Sequence, residues 1–194
     1  MKLIDILNDK GYKTDKHTSH NYIQDYYDQA FEPYKDLNIN FLEIGVLDGE
    51  SMKLWSDYFT NPKNIVGIDI FHRVSRSVAE SNLKGYNVKL HTLNSHGDAN
   101  FHDGYDKSDN DKLEEFKEQY GGFDIIVEDG HHGVSSQVNT YNRFGSLVNE
   151  GGIYIIEDIP QQNVPAIKKH IPNVEILISN GDLFKNQPFG VIKY

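Results

Sequence analysis

The stretch Phe41-Leu-Glu-Ile-Gly-Val-Leu-Asp-Gly-Glu-Ser51 constrains the fold more than any other in the chain. Apolar residues alternate up to Gly45, glycine recurs at Gly49, and Ser51–Phe59 follows with helix-like spacing. Strand, glycine turn and helix in that order open an α/β nucleotide-binding unit. Gly45 permits a tight turn at the strand end, and Gly49 permits a ligand to approach the main chain. The next strand, Asn64–Ile70, carries Asp69 near its end. That lies about twenty residues past the glycines, where a carboxylate can accept both hydroxyls of a ribose. An ordinary βα turn with a capping aspartate would read the same over this stretch alone.

The rest of the chain repeats the alternation. Helical patterns fall at Val74–Leu83, Lys112–Tyr120, Val134–Val148 and Val164–His170. Strand patterns fall at Tyr86–Leu93, Phe123–Asp129, Gly152–Asp158, Val174–Ser179 and Phe189–Tyr194, the last two antiparallel. The expected fold is α/β and Rossmann-like: a mostly parallel sheet of about seven strands with an antiparallel last strand and helices on both faces. Residues 1–36 read as a helical cap segment, with one or two turns in Lys2–Lys10 and a helix over His17–Phe31 capped by Ser19. Its bland role is to cover a sheet edge with His17 and His20 solvated; the alternative brings Lys16, His20 or Tyr22 to a pocket. The polar connection Asn94–Asp111 is long for an α/β unit, as a functional loop or a mobile insertion would be. No regular spacing aligns His91, His96 and His102 as metal ligands, so it reads as solvated.

At 194 residues the chain suits one domain with a full core. No apolar run approaches a membrane span and the N-terminus lacks a signal-peptide pattern, so the expectation is a cytoplasmic protein with no membrane partner. The formal net charge of −10 argues against nucleic acid. A homo-oligomer stays open. The absence of cysteine removes thiolate metal sites and cysteine nucleophiles.

The glycine pattern, Glu43-x-Gly45-x-x-x-Gly49, is too widely spaced to cradle a pyrophosphate. A ligand with ribose and no phosphate fits better, and S-adenosylmethionine is one. Beyond the strand ends stand Glu43, Asp69, Glu128-Asp129 and Glu157-Asp158, with His131-His132 just after. Two adjacent parallel strands ending in such pairs would gather Asp129, Glu157 and Asp158. Carboxylates that close repel unless a cation sits among them. Oxygen ligands without thiolate point to Mg²⁺, then Mn²⁺ or Ca²⁺. Capping of βα turns is the plainer role for Asp129 and Asp158. His132 lies where a neutral imidazole could take a proton from a hydroxyl polarised by the metal.

With these residues in place, the chain resembles the class I S-adenosylmethionine-dependent methyltransferases, specifically the metal-dependent sugar O-methyltransferases of the mycinamicin-type macrolide and glycan-methylating group. The motifs that carry the likeness are Thr14-Asp-Lys16 with His20 and Tyr22, Leu42-Glu-Ile-Gly-Val46 with Gly49 and Ser51, and Gly67-Ile-Asp-Ile70. Asp106-Lys-Ser-Asp109, Phe123–Ile126 with Glu128-Asp-Gly-His-His132, and Gly151–Asp158 complete them. The resemblance implies a seven-stranded methyltransferase fold and Mg²⁺ (or Mn²⁺) on Asp129, Glu157 and Asp158, with His132 as general base. It implies cofactor contacts from Lys16, Glu43, Gly45, Ser51 and Asp69, with Asp106 and Lys107 by the adenine. Asn94-Ser95 is a rival end for the third strand. The family has Asp-Gly-Ser-His where this chain has Asp129-Gly-His-His132, so His131 could share the base role. The implied activity is methyl transfer to a sugar hydroxyl of a carbohydrate or glycosylated small-molecule acceptor. The alternatives are a catechol-type or other small-molecule O-methyltransferase, a non-catalytic cofactor-binding partner subunit, and, against the glycine pattern, a nicotinamide oxidoreductase.

Overall fold

The computed structural model describes residues 1–97, 108–181 and 183–194. Its strands are β1 (Asn40–Ile44), β2 (Asn64–Asp69), β3 (Lys89–Thr92), β4 (Phe123–Glu128), β5 (Val148–Ile156), β6 (Glu175–Ser179) and β7 (Gln187–Lys193). They form one sheet in the order β3-β2-β1-β4-β5-β7-β6. Neighbours from β3 to β5 pair in parallel, and β7 runs antiparallel to both β5 and β6. The helices are α1 (Leu3–Lys10), α2 (Asp15–Thr18), α3 (Asp28–Ala30), α4 (Glu50–Tyr58), α5 (Arg76–Asn82), α6 (Ser108–Tyr120), α7 (Val134–Phe144) and α8 (Val164–His170).

The continuous apolar runs of β4 and β5 explain the layers. Phe123, Ile125, Ile126, Val127 and Ile153–Ile156 are all buried, as strands covered on both faces must be. One face packs Phe41, Ile125 and Ile155 against Tyr27, Phe31 and Trp55. The Phe31 ring stands edge-on to Trp55 at 5.5 Å. The other face packs Leu42, Ile126 and Tyr154 against Phe116, Val138 and Phe144.

Two stretches depart from expectation. The helix expected over His17–Phe31 is broken. α2 starts earlier, with the Thr14 hydroxyl accepting the Lys16 N–H at 3.4 Å, and a separate π turn over Ile23–Tyr27 runs into α3. The break lies where Gly181 presses on Ser19 and His20: a Cβ there would sit 2.3 Å from the Ser19 carbonyl oxygen. His20 is buried rather than solvated, its ring stacked on Tyr22 and Phe184. The second departure is β5, which begins at Val148 rather than Gly152. Gly151 (φ +77°) and Gly152 lie inside that strand, where its register with β4 shifts and Gly152 passes too close to the Asp124 and Asn149 carbonyls for a side chain.

Candidate active site

Loops at the carboxyl ends of β1, β2, β4 and β5 converge. Gly45 makes this possible: at φ +93°, a Cβ on it would lie 2.0 Å from the Asp129 carbonyl oxygen. The β1 and β4 ends are instead stitched by the Asp129 N–H donating to the Ile44 carbonyl at 2.8 Å. Gly49 has a different role from the one expected. It caps α4 at φ +90° and packs on Leu83, where a Cβ would meet Cγ at 2.9 Å.

A cavity of about 490 Å³ opens beside these ends, lined by Gly45, Ser51, Asp69, Ser95, Asp129 and His132 among others. Its size is within the range of roughly 300–1,000 Å³ that small-molecule sites occupy. Asp69 is fixed by the glycine loop. Its Oδ2 accepts the Val46 and Leu47 N–H groups at 2.8 and 3.1 Å, and its Oδ1 accepts the Phe71 N–H at 2.6 Å. Three expected cofactor residues, Gly45, Ser51 and Asp69, thus share one wall, with Asn94 and Ser95 of the rival third-strand end beside them. Asp106 and Lys107 lie outside the described residues.

Lys16 and Glu43 stand behind this wall. Lys16 is 1 % exposed, and its Nζ lies 2.6 Å from Asp129 Oδ2, 2.8 Å from Glu157 Oε2 and 3.2 Å from Glu43 Oε1. Burial alone would lower the lysine pKa; the three carboxylates outweigh it and hold the pKa well above its usual value. Glu43 also accepts from the Ser51 hydroxyl at 2.8 Å and the Trp55 indole at 3.0 Å. Glu157 accepts a hydrogen bond from the Tyr27 hydroxyl. Burial pushes the carboxyls of Glu43, Asp129 and Glu157 up, against the pull of Lys16. Glu128, with Asp129 next to it, is pushed up by burial to about 8.

The expected carboxylate trio is gathered at one place, but its members have different partners. Among the described residues, one oxygen each of Asp129 and Asp158 and one nitrogen of His132 lie within 4.8 Å of one another. Glu157 stands beside this group, tied to Lys16 and Tyr27. His132 Nε2 is 3.7 Å from Asp158 Oδ2, while His131 Nδ1 accepts the Gly133 N–H at 3.2 Å. Two carboxylates and an imidazole, with no thiolate, suit a hard or borderline divalent ion. The charge balance agrees, since Lys16 sets one positive charge against Glu43, Asp129 and Glu157. The donor set therefore fits a divalent cation.

Asp158 sits at φ +50°, a left-handed conformation held by its neighbours. The Tyr22 hydroxyl donates to its Oδ1 at 2.6 Å, and His20 Nε2 lies 3.3 Å from the same oxygen. The His20 ring is stacked between Tyr22 at 4.7 Å and Phe184 at 4.9 Å. The roles of Tyr27 and Phe184 are not readable from sequence. Tyr27 sits on an apolar stripe with the spacing of core residues, and Phe184 reaches the site from the far end of the chain.

No family model matches the chain. Mycinamicin VI 2''-O-methyltransferase of Micromonospora griseorubida is 30% identical over 144 residues, which cover 69% of this chain and 30% of that protein. The 8-demethyl-8-alpha-L-rhamnosyl tetracenomycin-C 2'-O-methyltransferase of Streptomyces olivaceus is 26% identical over 149 residues, covering 73% of this chain and 34% of that protein. The chain thus spans about a third of the length of these curated relatives. Among solved structures, MycE methyltransferase in complex with Mg, SAH and mycinamycin VI superposes with a TM-score of 0.69 at 20% identity, over 100% of this chain and 54% of that one. With its glycine turn, acidic strand ends and strand order, the chain is a relative of the sugar O-methyltransferases, built on the class I S-adenosylmethionine-dependent methyltransferase fold.

Proposed function

We propose that this chain is a divalent-metal-dependent O-methyltransferase that moves the methyl group of S-adenosylmethionine to a sugar hydroxyl of a glycan or glycosylated small molecule. The observation that carries this reading is the shared wall: the ribose-type carboxylate Asp69 and the clustered donors of Asp129 and His132 line one cavity. The printed activities of the relatives, methylation of sugars on mycinamicin and tetracenomycin, support the acceptor class.

In this reading Asp69 accepts the ribose hydroxyls, and Gly45 lets the cofactor lie close to the β1 end. Asp129 and Asp158 would hold Mg²⁺, which supplies charge to orient acceptor hydroxyls and make them more acidic. His132 removes the proton from the acceptor oxygen as that oxygen attacks the methyl carbon. The sulfur–carbon bond breaks as the oxygen–carbon bond forms, leaving S-adenosylhomocysteine and a protonated imidazole. The chain's main contribution is placement of donor and acceptor in line.

The 4.8 Å cluster also favours a second role for His132, as a third cation ligand. His132→Ala separates the two. A base variant keeps Mn²⁺ and S-adenosylhomocysteine binding and loses most turnover on a panel of glycosides and catechols; a ligand variant loses Mn²⁺ as well. Unchanged turnover rejects both roles, and full activity in excess EDTA rejects the metal.

A further inference from the structure

α2 is only four residues long, too short to be held by its own hydrogen bonds. Its two sides touch different things. Thr14, Asp15 and Thr18 line the cofactor-sized cavity, while the Lys16 side chain leaves the wall and ends among Glu43, Asp129 and Glu157. Asp129 belongs to both places: it lines the cavity, it is one of the clustered donors, and its Oδ2 is 2.6 Å from the ammonium.

We propose that Lys16 is a positioning residue that couples the two ligand sites, fixing Asp129 for the cation and residues 13–18 against the cofactor. This rests on the metal reading given above. A buried ammonium cannot exchange partners for water, so a change in Asp129 is transmitted to Lys16 and through it to the cavity wall. Thermodynamic reciprocity then requires each ligand to alter the affinity of the other by the same factor.

The test measures S-adenosylhomocysteine binding by calorimetry in EDTA and in saturating Mn²⁺, with Mn²⁺ binding followed by electron paramagnetic resonance. The intact protein should show at least about a fivefold difference in S-adenosylhomocysteine affinity between the two conditions. Lys16→Met should reduce that difference to about twofold or less. Because Lys16→Met leaves Glu43, Asp129 and Glu157 without their shared cation, a second variant adds Glu157→Gln alone, which restores the net charge of the group. Hydrogen exchange on the intact protein gives an arm that needs no variant: Mn²⁺ alone should change exchange at residues 13–18. Equal affinities in both conditions, coupling that survives in a folded Lys16 variant, or unchanged exchange at 13–18 overturns the inference while leaving the metal reading in place. Absence of Mn²⁺ binding to the intact protein overturns the metal reading and this inference with it.

Discussion

Tyr22 grips Asp158 at two points: its hydroxyl donates to Oδ1 at 2.6 Å, and its oxygen accepts the Asp158 N–H at 3.3 Å. Burial, and then the Asp158 charge, raise the phenol pKa, so it remains a donor at any working pH. The pair fixes a carboxylate whose backbone is left-handed at φ +50°. Tyr22→Phe should weaken Mn²⁺ binding by about 10–100-fold, the usual effect of losing a group that orients a metal ligand. S-adenosylhomocysteine binding should hold. Calorimetry showing unchanged Mn²⁺ affinity would exclude Tyr22 from the cation site.

Asp69 offers the opposite selectivity. Its oxygens already take three backbone N–H groups of the glycine loop and the β2 end. Asp69→Asn removes the charge with little change of shape. Losing charge-assisted hydrogen bonds of about 1.5–3 kcal/mol should cut S-adenosylhomocysteine affinity roughly 10–100-fold. Mn²⁺ binding should be untouched; a variant that loses Mn²⁺ but keeps the nucleoside would reverse the assignment.

Gly45 and Gly85 make a matched pair. Both are left-handed, at φ +93° and +96°, but only Gly45 faces backbone, with the Asp129 carbonyl oxygen 2.0 Å from where an alanine methyl would sit. Gly85→Ala should cost about 1–2 kcal/mol, the conformational penalty alone. Gly45→Ala adds the clash and should cost on the order of 3 kcal/mol or more. Urea melts of the two variants read the difference, and equal losses would show that the β1 and β4 ends separate easily.

Glu128 gives the protein a pH signature. Its carboxyl is buried and pushed up to about 8 from the ordinary carboxylate range. The folded state therefore holds a proton that the unfolded chain releases at lower pH. Stability from this group falls as pH rises from the usual glutamate range to about 8, and is flat beyond. Glu128→Gln, isosteric and neutral, should remove that slope and stabilise the metal-free protein at pH 8 by on the order of a few kcal/mol, with little effect at pH 4. Melting curves in chelator at the two pH values would test it; an equal shift at both would place the carboxyl in contact with water.

The sheet is legible in the sequence because its strands are locally unambiguous. Phe123–Val127 and Ile153–Ile156 could not be other than doubly covered strands, and the α8 limits, Val164–His170, follow from Pro165 and the basic last turn. The nearness of Asp129, Asp158 and His132 is legible because neighbouring strand ends carry them; their use is not, since helix capping reads the same in sequence. The N-terminal contacts are legible only as one of two alternatives, the one that brings Lys16, His20 or Tyr22 to the site. Lys16, His20 and Tyr22 lie on either side of the break at Ser19–Asn21, where the chain packs closely on Gly181, distant in sequence. The division of labour between Glu157 and Asp158 is also hidden, because it depends on where a single lysine ammonium comes to rest.

The stack of Phe184, His20 and Tyr22 begins at a half-exposed ring in the β6–β7 connection, and its two inner rings reach Asp158 through their edge atoms. Loss of the Phe184 ring would uncover one face of His20, whose Nε2 lies 3.3 Å from Asp158 Oδ1. A substitution in the β6–β7 connection at Phe184 can therefore reach the candidate site without touching the sheet.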